Sequence, residues 1–343
     1  MKGSVSVYFV KTELEALAAE IIATQFESES LNVLACSGKS SPFFIKPNVF
    51  KISIEFARIK QKGFLSEKKA VCKSLEELSF EIKKLTSDPE NIYIHIPRLS
   101  TSKTNYAINY FIKKFPSSTV CVRLIPHGIV SINLIPLTFS KRLKLLRRKY
   151  HPTNLVFPFL RYYPPRHDLI GGSDKIVDRV YTFKGISTPY VSEKVVEISG
   201  VKNYIQGIQN NNSIRSAVVI GQPLIKNGLI TDEDHAFVKR EILDWLKYNS
   251  YQIVYYSKHP RSGDILDFYD KKYRIIEQEG AVEVFLCKIQ PDVVISCFST
   301  ALATAKVLLG DDVRAISFGL ELTQTDKKKE ISTFFKSIGV EML

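Results

Sequence analysis

Cysteine is rare in this 343-residue chain, and its five cysteines are scattered. No two of them have CxxC spacing and their number is odd, which argues against a disulfide framework and a cysteine-based zinc site. Three lie in apolar runs and are expected to be buried free thiols, namely Cys121, Cys287 and Cys297. The acidic run Asp232-Glu233-Asp234 begins a predicted helix and suits its dipole. Since paired histidines and other clustered acids are missing, we expect neither a metal nor another cofactor.

Long apolar segments are also absent. No window reaches the roughly 18 apolar residues that a membrane-spanning helix needs. The alternating run at residues 5–10 is too short for the apolar core of a secretory signal. With 16 glycines and 15 prolines, collagen-like and low-complexity chains are excluded. The sequence therefore predicts a globular cytoplasmic protein, with the option of a peripheral position on the inner face of the membrane.

Several well-known catalytic loops do not occur. There is no GxxxxGK[ST] loop and no GxGxxG after a predicted strand, so nothing supports a P-loop kinase, another NTPase or a dinucleotide-binding enzyme. A GxSxG nucleophile elbow is missing too.

Positive charge is in excess. The chain has 48 Lys and Arg against 35 Asp and Glu, a net charge of +13 and a pI near 9.3. Such a balance favours a polyanionic partner (nucleic acid, an anionic membrane, an acidic glycan or a nucleotide), with a generally basic surface as the alternative.

The densest basic stretch lies at residues 140–150. Its six cations are Lys141, Arg142, Lys144, Arg147, Arg148 and Lys149. Leucines between them allow the stretch to rest on anionic lipid. It could equally contact an acidic glycan acceptor or simply be solvated.

The chain reads as two successive α/β units. Predicted strands alternate with helices, which indicates parallel βαβ units, and the pattern restarts after a polar linker at 209–213. We predict two facing, doubly wound, Rossmann-like domains with a cleft between them. They comprise residues 1–208 and 214–320, and residues 321–343 carry a helix that packs back on the first domain.

The sequence also predicts the bounds of three helices within these units. One is predicted over residues 56–84, with a break near Gly63. The last helix is predicted to open at Thr323 and to reach Ile338. A third, at residues 232–247, has Thr231 as its N-cap.

Polar motifs follow three predicted strands, where doubly wound folds bind their ligands. They are His127-Gly128 after 119–125, Lys258-His259-Pro260-Arg261 after 252–257, and Ser299-Thr300 after the strand that begins at Val293. The other histidines (His95, His151, His167 and His235) have no such setting and are expected in strands, in loops or on a helix surface.

Each motif has a chemical and a structural interpretation. Ser299 and Thr300 open a helix, whose N-terminus binds anions, or they form a plain N-cap. The cations around His259 suit a nucleotide phosphate, or a surface turn. His127 is able to act as a general base, or it is a structural histidine at a strand end.

The ordered set of motifs resembles bacterial sialyltransferases of the two-domain GT-B type, above all lipooligosaccharide sialyltransferases and capsular polysialyltransferases. His259-Pro260-Arg261 is similar to their His-Pro motif, and Phe298 to Leu302 to their Ser-Ser/Thr motif. Gly221-Gln222-Pro223 resembles the strand end that opens their second domain. The resemblance covers residues 215–320. In the first domain, His127 stands before Gly128 where those families have an acidic residue.

The resemblance implies an inverting, metal-independent glycosyltransferase that moves sialic acid from CMP-sialic acid to a cell-surface glycan of the lipooligosaccharide or capsule. It places the acceptor on residues 1–208 and the donor on residues 214–320. His259 would assist departure of CMP and His127 would replace the acidic base. The donor-binding residues implied are Gly221, Gln222, Lys258, Pro260, Arg261, Ser299 and Thr300.

Other functions stay open at this stage. A His-Gly motif also occurs in CDP-alditol phosphotransferases of teichoic-acid synthesis, and another CMP-linked ulosonic acid such as Kdo would suit the same motifs. A basic nucleic-acid-binding module is the third alternative. It is disfavoured because no RNA-stacking aromatic motif or helix-turn-helix stands out, so we expect no nucleic-acid partner.

Overall fold

The computed structural model describes residues 3–37, 46–57, 63–127, 136–186, 188–201, 204, 214–259, 266–276 and 282–343. The chain forms two compact units, Met1–Ser199 and Gly200–Leu343. The linker predicted at 209–213 lies outside the described residues. So do Gly128, Pro260 and Arg261 of the predicted motifs.

The first unit is built around a parallel sheet of seven strands in the order β3-β2-β1-β4-β5-β6-β7. Its strands are β1 (Ser4–Val10), β2 (Leu31–Cys36), β3 (Ile52–Glu55), β4 (Asn91–Ile96), β5 (Thr119–Leu124), β6 (Val177–Phe183) and β7 (Val195–Ile198). Its helices are α1 (Glu13–Gln25), α2 (Phe64–Leu85), α3 (Ser102–Lys114), α4 (Phe139–Lys149) and α5 (Thr153–Val156).

The centre of this sheet is buried on both faces. In β1 every residue after Ser4 is buried, as expected for a strand covered by helices on each side. β1 pairs with β2 on one side and with β4 on the other. After β1 the strands are therefore added toward one edge of the sheet up to β3, and from β4 onward toward the opposite edge. In doubly wound folds ligands bind at such a switch point, at the carboxyl ends of the strands.

A buried ionic cluster lies in the same unit. The Arg123 guanidinium contacts the Glu27 carboxylate, lies 3.2 Å from an Asp178 oxygen, and stacks over the ring of Tyr93 at 3.4 Å. Buried charges of this kind are tolerated only where they are paired and hydrogen-bonded. The cluster therefore ties β5 to the chain segment after α1 and to β6.

The second unit is also a parallel sheet, with six strands in the order β10-β9-β8-β11-β12-β13. Its strands are β8 (Ser216–Ile220), β9 (Ile253–Ser257), β10 (Arg274–Ile275), β11 (Val293–Ser296), β12 (Arg314–Ser317) and β13 (Glu341–Met342). Its helices are α6 (Asp232–Tyr248), α7 (Val282–Ile289), α8 (Thr300–Leu309) and α9 (Lys328–Ser337). The predicted N-cap of α6 is confirmed, since the Thr231 hydroxyl accepts from Asp234 N.

Two helix boundaries differ from the sequence prediction. Phe56 and Ala57, predicted to be helical, instead follow β3 as irregular chain, and α2 begins at Phe64, directly after the predicted break near Gly63. The last helix begins at Lys328 instead of Thr323. Thr323 is buried and its hydroxyl donates to the carbonyl of Leu320, so it closes the preceding 3-10 turn and does not cap the helix. The prediction that residues 321–343 pack on the first domain stays a prediction.

The five cysteines are free thiols. Cys287 and Cys297 are buried as predicted, and burial raises the pKa of Cys297 to about 12. Cys121 is only half-buried, because the amino-terminal half of β5 is less covered than its carboxyl half. In the described parts of the chain, no helix is both long enough and apolar enough to cross a bilayer.

His95, in β4, lies fully buried between aromatic rings. Its imidazole stacks on Tyr8 at 4.1 Å and lies 5.9 Å from the Tyr181 ring. Neither ring nitrogen has a hydrogen-bond partner among the described residues. Burial, with the nearby Arg123 and Arg179, holds the pKa of this imidazole well below its usual 6.5. The ring is therefore neutral in the folded protein.

Acid is expected to destabilise the protein through His95. Below pH 6.5 the unfolded chain binds a proton that the folded chain excludes. The free energy of unfolding then falls by up to about 1.4 kcal/mol per pH unit for this one group. His95→Phe keeps a stacked ring that cannot titrate and removes this loss. Urea unfolding followed by circular dichroism, at about pH 8 and about pH 5.5, measures it. An equal loss in both proteins would contradict the assignment.

Candidate active site

Three strands of the second unit end level with one another. Ile220 of β8 pairs with Ser257 of β9, and the β8–β11 register places Ser296 beside Ile220. The segments that follow these strands therefore lie at one edge of the sheet. They carry the predicted residues Gly221, Gln222, Lys258, His259, Ser299 and Thr300. The fold thus brings together the described members of the predicted donor site, and Lys258 is exposed while His259 is half-buried.

The N-terminus of α8 is at this edge. Ser299 is its N-cap, with an oxygen that accepts from Ala301 N at 3.2 Å, and Thr300 is its first residue. Both side chains are half-buried and reach solvent. Because Ser299 uses only its oxygen in the cap, its hydroxyl hydrogen can still be donated to an anion. The capping and anion-binding interpretations are therefore compatible.

Gln222 connects two of the strand ends. Its side chain is buried, and its Oε1 accepts from Phe298 N at 2.8 Å and from the Ser296 hydroxyl at 3.1 Å. The Ser296 hydroxyl also lies 2.8 Å from the Ile220 carbonyl. These bonds hold the turn from β11 into α8. The family resemblance implies that Gln222 binds the donor, which stays a prediction; in the structure its oxygen positions the α8 N-terminus.

Gly221 is required by packing. A Cβ at this position would lie far inside van der Waals distance of the Tyr256 hydroxyl. That hydroxyl donates to the Asp267 carbonyl at 2.9 Å, and Gly221 N donates to the Ser257 carbonyl at 2.9 Å. The close approach of β8 and β9 at their ends leaves no space for a side chain.

His235 lies close to this edge, although the sequence showed no special setting for it. Its side chain is 14% exposed, with Nε2 3.4 Å from an Asp267 carboxylate oxygen and the ring stacked on Phe268. The other Asp267 oxygen accepts from Leu224 N at 2.7 Å. This pair supports the loop after Gly221-Gln222. Since Asp267 lies 32 positions further along the chain, no local pattern indicated the contact.

His127 has an acidic partner in the first unit. It follows β5, its side chain is 29% exposed, and its Nδ1 contacts Oε1 of Glu15, at the start of α1. Glu15 is buried, and its other oxygen accepts from Lys11 N at 2.6 Å and from Thr12 N at 3.3 Å. With Nδ1–H directed at the carboxylate, the lone pair of the neutral ring is on Nε2.

A histidine held by a carboxylate is an arrangement suited to proton transfer. The carboxylate fixes the tautomer and stabilises the imidazolium that forms when the ring takes a proton. Glu15 was not among the predicted site residues. Its only signal in the sequence is the pattern Thr12-x-x-Glu15, which indicates a capping box, and that box is present.

The basic stretch forms most of α4. Lys141, Arg142, Lys144 and Arg147 are exposed, whereas Arg148 and Lys149 are half-buried. Leu145 faces the core. Of the described residues, no group of three or more His, Cys, Asp or Glu could hold a metal ion.

Gly221→Ala is expected to destabilise the second unit. The added methyl group displaces Tyr256, at a cost of about 1–3 kcal/mol in the free energy of unfolding. Tyr256→Phe removes the oxygen that obstructs the added methyl group. The double variant is therefore expected to lose less free energy of unfolding than the sum of the losses of the two single variants. Trp245, the single tryptophan, reports urea unfolding of this unit by fluorescence. Simple additivity of the two costs would contradict the contact.

The fold is shared with solved glycosyltransferases and with a UDP-GlcNAc 2-epimerase. An α/β-galactoside α-2,3-sialyltransferase from Photobacterium phosphoreum superposes with a TM-score of 0.56 at 13% identity, over 100% of this chain and 99% of that chain. The GT-B domain of a Photobacterium damselae sialyltransferase gives 0.52 at 10% identity, over 99% of both chains. A UDP-GlcNAc 2-epimerase from Methanocaldococcus jannaschii gives 0.54 at 11% identity, over 99% and 88%. The predicted GT-B fold class is confirmed.

The sequence itself identifies the family. A search of curated protein sequences finds no match. The profile of the alpha-2,8-polysialyltransferase family, in contrast, matches residues 67–315, a range that includes His127, His259, Ser299 and Thr300. The predicted resemblance to bacterial GT-B sialyltransferases is thereby confirmed. The chain belongs to the alpha-2,8-polysialyltransferase family, and it is a sialyltransferase with the GT-B fold.

Proposed function

We propose that the protein transfers sialic acid from CMP-sialic acid to a hydroxyl group of a cell-surface glycan of the lipooligosaccharide or capsule, with inversion at the anomeric carbon. The observation that carries the proposal is the convergence of Lys258, His259 and the Ser299-Thr300 helix start at one sheet edge, in a chain of this family. A cytoplasmic location, peripheral to the inner face of the membrane, belongs to the same proposal.

The donor phosphate is the group that the second unit binds in this proposal. The first-turn amides of α8 and the hydroxyls of Ser299 and Thr300 supply oriented donors to its oxygens. Lys258 adds positive charge, as does Arg261, which lies outside the described residues. Because Gln222 fixes the turn before α8, these hydrogen-bonding groups are already in position before CMP-sialic acid binds.

Cleavage of the donor leaves negative charge on CMP. The bond between the anomeric carbon and the phosphate oxygen breaks, and the electron pair departs with the phosphate. His259 stabilises this charge by donating a hydrogen bond or a proton. The sugar passes through an oxocarbenium-like state, as in glycoside hydrolysis. Fixed donors neutralise the leaving group, so the proposal requires no metal.

The acceptor hydroxyl is activated by the first unit. His127 Nε2 takes its proton as the oxygen forms the new bond to the anomeric carbon from the face opposite CMP. The Glu15 carboxylate stabilises the resulting imidazolium through Nδ1. In this proposal the acidic group is Glu15, which contacts His127 from another segment of the chain. The families that the sequence resembles have the acidic residue in the motif itself, directly before the glycine.

A donor panel tests the reaction class. We expect CMP release from CMP-sialic acid that depends on a sialylated or galactose-ended acceptor. His259→Ala is expected to lower kcat by roughly 10²–10³-fold, because a donor to the leaving group is lost. Release only from CMP-Kdo would reassign the sugar. Release from a CDP-linked alditol, with a phosphodiester in the product, would replace the proposal by the phosphotransferase activity that the His-Gly motif also suits.

A matched pair of variants separates the two roles of Glu15. Glu15→Gln keeps the cap, because Gln also accepts from the N-cap backbone, but it removes the charge beside His127. We expect kcat to fall by roughly 10²–10⁴-fold with little change in melting temperature or in donor KM, and His127→Ala to have a similar effect.

The control is Thr12→Ala. It breaks the cap from the other side, at about 1 kcal/mol of stability, and leaves the carboxylate in place, so its kcat is expected to stay near that of the native protein. Near-native kcat in His127→Ala would show that the base lies elsewhere.

A further inference from the structure

The excess positive charge of the chain is confined to one segment. Residues 91–167 contain 13 Lys and Arg and no Asp or Glu, so they account for the whole net charge of +13. The remainder of the sequence is balanced. Six of the 13 cations lie on α4, and four of these are exposed. Since α4 belongs to this acid-free segment, the sequence neighbourhood of these cations contains no compensating carboxylate.

The outer face of α4 is apolar as well as cationic. Phe139, Leu143 and Leu146 follow the i, i+4, i+7 spacing that puts side chains on one stripe of a helix. That stripe normally faces a core. Here Phe139 is 82% exposed and the two leucines are 44% and 43% exposed. The core is instead contacted by Leu145, on the other side of the helix.

The short helix α5 continues this surface. Leu155 is 88% exposed and Val156 is 66% exposed, so neither is covered by the described part of the protein. Together, residues 139–156 carry six of the exposed large hydrophobic side chains. We call the exposed side of α4 and α5 the α4–α5 face.

The corner between these two helices is held in place. Asn154 accepts a hydrogen bond from the buried Lys68 ammonium of α2, and its amide donates to the Lys149 carbonyl at 2.7 Å. The His151 ring stacks on Phe64, also of α2, at 4.6 Å. The hydrogen bond to Asn154 and the stacking on His151 therefore hold the corner against α2 and fix the position of the exposed apolar side chains next to it.

We propose that the α4–α5 face binds an anionic lipid bilayer, with its apolar stripe inserted at the level of the headgroups. This inference rests on the membrane location in the proposed function, and it identifies the surface and the lipid chemistry. Anionic headgroups complement the cations. The acyl boundary accepts Phe139, Leu143, Leu146 and Leu155, in the manner of interfacial amphipathic helices.

The apolar side chains decide between lipid and glycan. An acidic glycan offers negative charge but no apolar interior, so exposed Phe and Leu side chains at such a contact would stay in water. Burial of apolar surface is the dominant favourable term in association, and of these two partners only a bilayer provides it. The combination of charge and apolar stripe therefore favours lipid over an acidic acceptor.

Vesicle co-sedimentation tests this inference on the full-length protein, without donor. We expect it to sediment with vesicles of phosphatidylcholine and phosphatidylglycerol, and much less with phosphatidylcholine alone. Lys144→Glu/Arg147→Glu is expected to lower partitioning by roughly 30-fold or more, from two lost cations. Phe139→Ser/Leu155→Ser, at unchanged charge, is expected to lower it by roughly tenfold or more. All four side chains are exposed, so the fold is retained.

The control is Lys271→Glu/Lys272→Glu, which makes the same charge change at two exposed lysines of the second unit. It is expected to bind vesicles like the native protein. An equal loss in this control would assign binding to net charge alone and overturn the inference. So would unchanged vesicle binding by Phe139→Ser/Leu155→Ser, or a loss of binding to soluble oligosialic acid as the only effect of Lys144→Glu/Arg147→Glu.

Transfer to a soluble acceptor separates this inference from the proposed function. Phe139→Ser/Leu155→Ser is expected to keep native kcat in that assay. A native protein that transfers sialic acid in solution but does not sediment with anionic vesicles would overturn the membrane face alone. A protein that binds the vesicles but releases no CMP from any donor would overturn the transfer reaction alone.

Discussion

Parallel pairing of β9, β8 and β11 is the constraint on which the candidate donor site depends. Because these strands run in one direction and end level, the chain must leave all three at the same edge of the sheet. The space there is so limited that Gly221 cannot carry a side chain, and Gln222 closes the gap by bonding to the neighbouring strand. The hydrogen bonds of Gln222, which follows β8, thus set the position of the α8 N-terminus relative to the sheet.

In the first unit, the need to satisfy buried polar groups explains several contacts between distant segments. A carboxylate that leaves water needs donors, and Glu15 obtains them from two backbone amides and from His127. One side chain therefore serves as a helix cap and as the partner of the proposed base. Glu27 and Arg123 follow the same logic elsewhere in the unit, where their pairing holds neighbouring segments together. The buried neutral His95 is the exception, since stacking replaces hydrogen bonds around it.

The α4 helix shows how sequence periodicity and tertiary position can disagree. Its stripe of Phe139, Leu143 and Leu146 has the spacing of a core-facing surface, yet the core contact is made by Leu145. A helix that exposes such a stripe beside cations is suited to a surface that offers both apolar and anionic groups. The sequence left lipid and glycan open because both attract cations. Only the exposure of the apolar side chains distinguishes them.

The sequence alone determined the α/β class, the family and the places where polar motifs follow strands, because alternating hydrophobic periods and short motifs are local properties of the chain. The N-cap of α6 at Thr231 was predictable for the same reason. The tertiary structure alone decided that Thr323 closes a turn instead of opening a helix, that Gln222 bonds to Ser296 and Phe298, and that Glu15 meets His127. Glu15 and His127 are separated by 112 positions, and only the packing of α1 against the strand ends brings them into contact. No pattern within one segment can encode such a pair, because the contact depends on how separate elements pack.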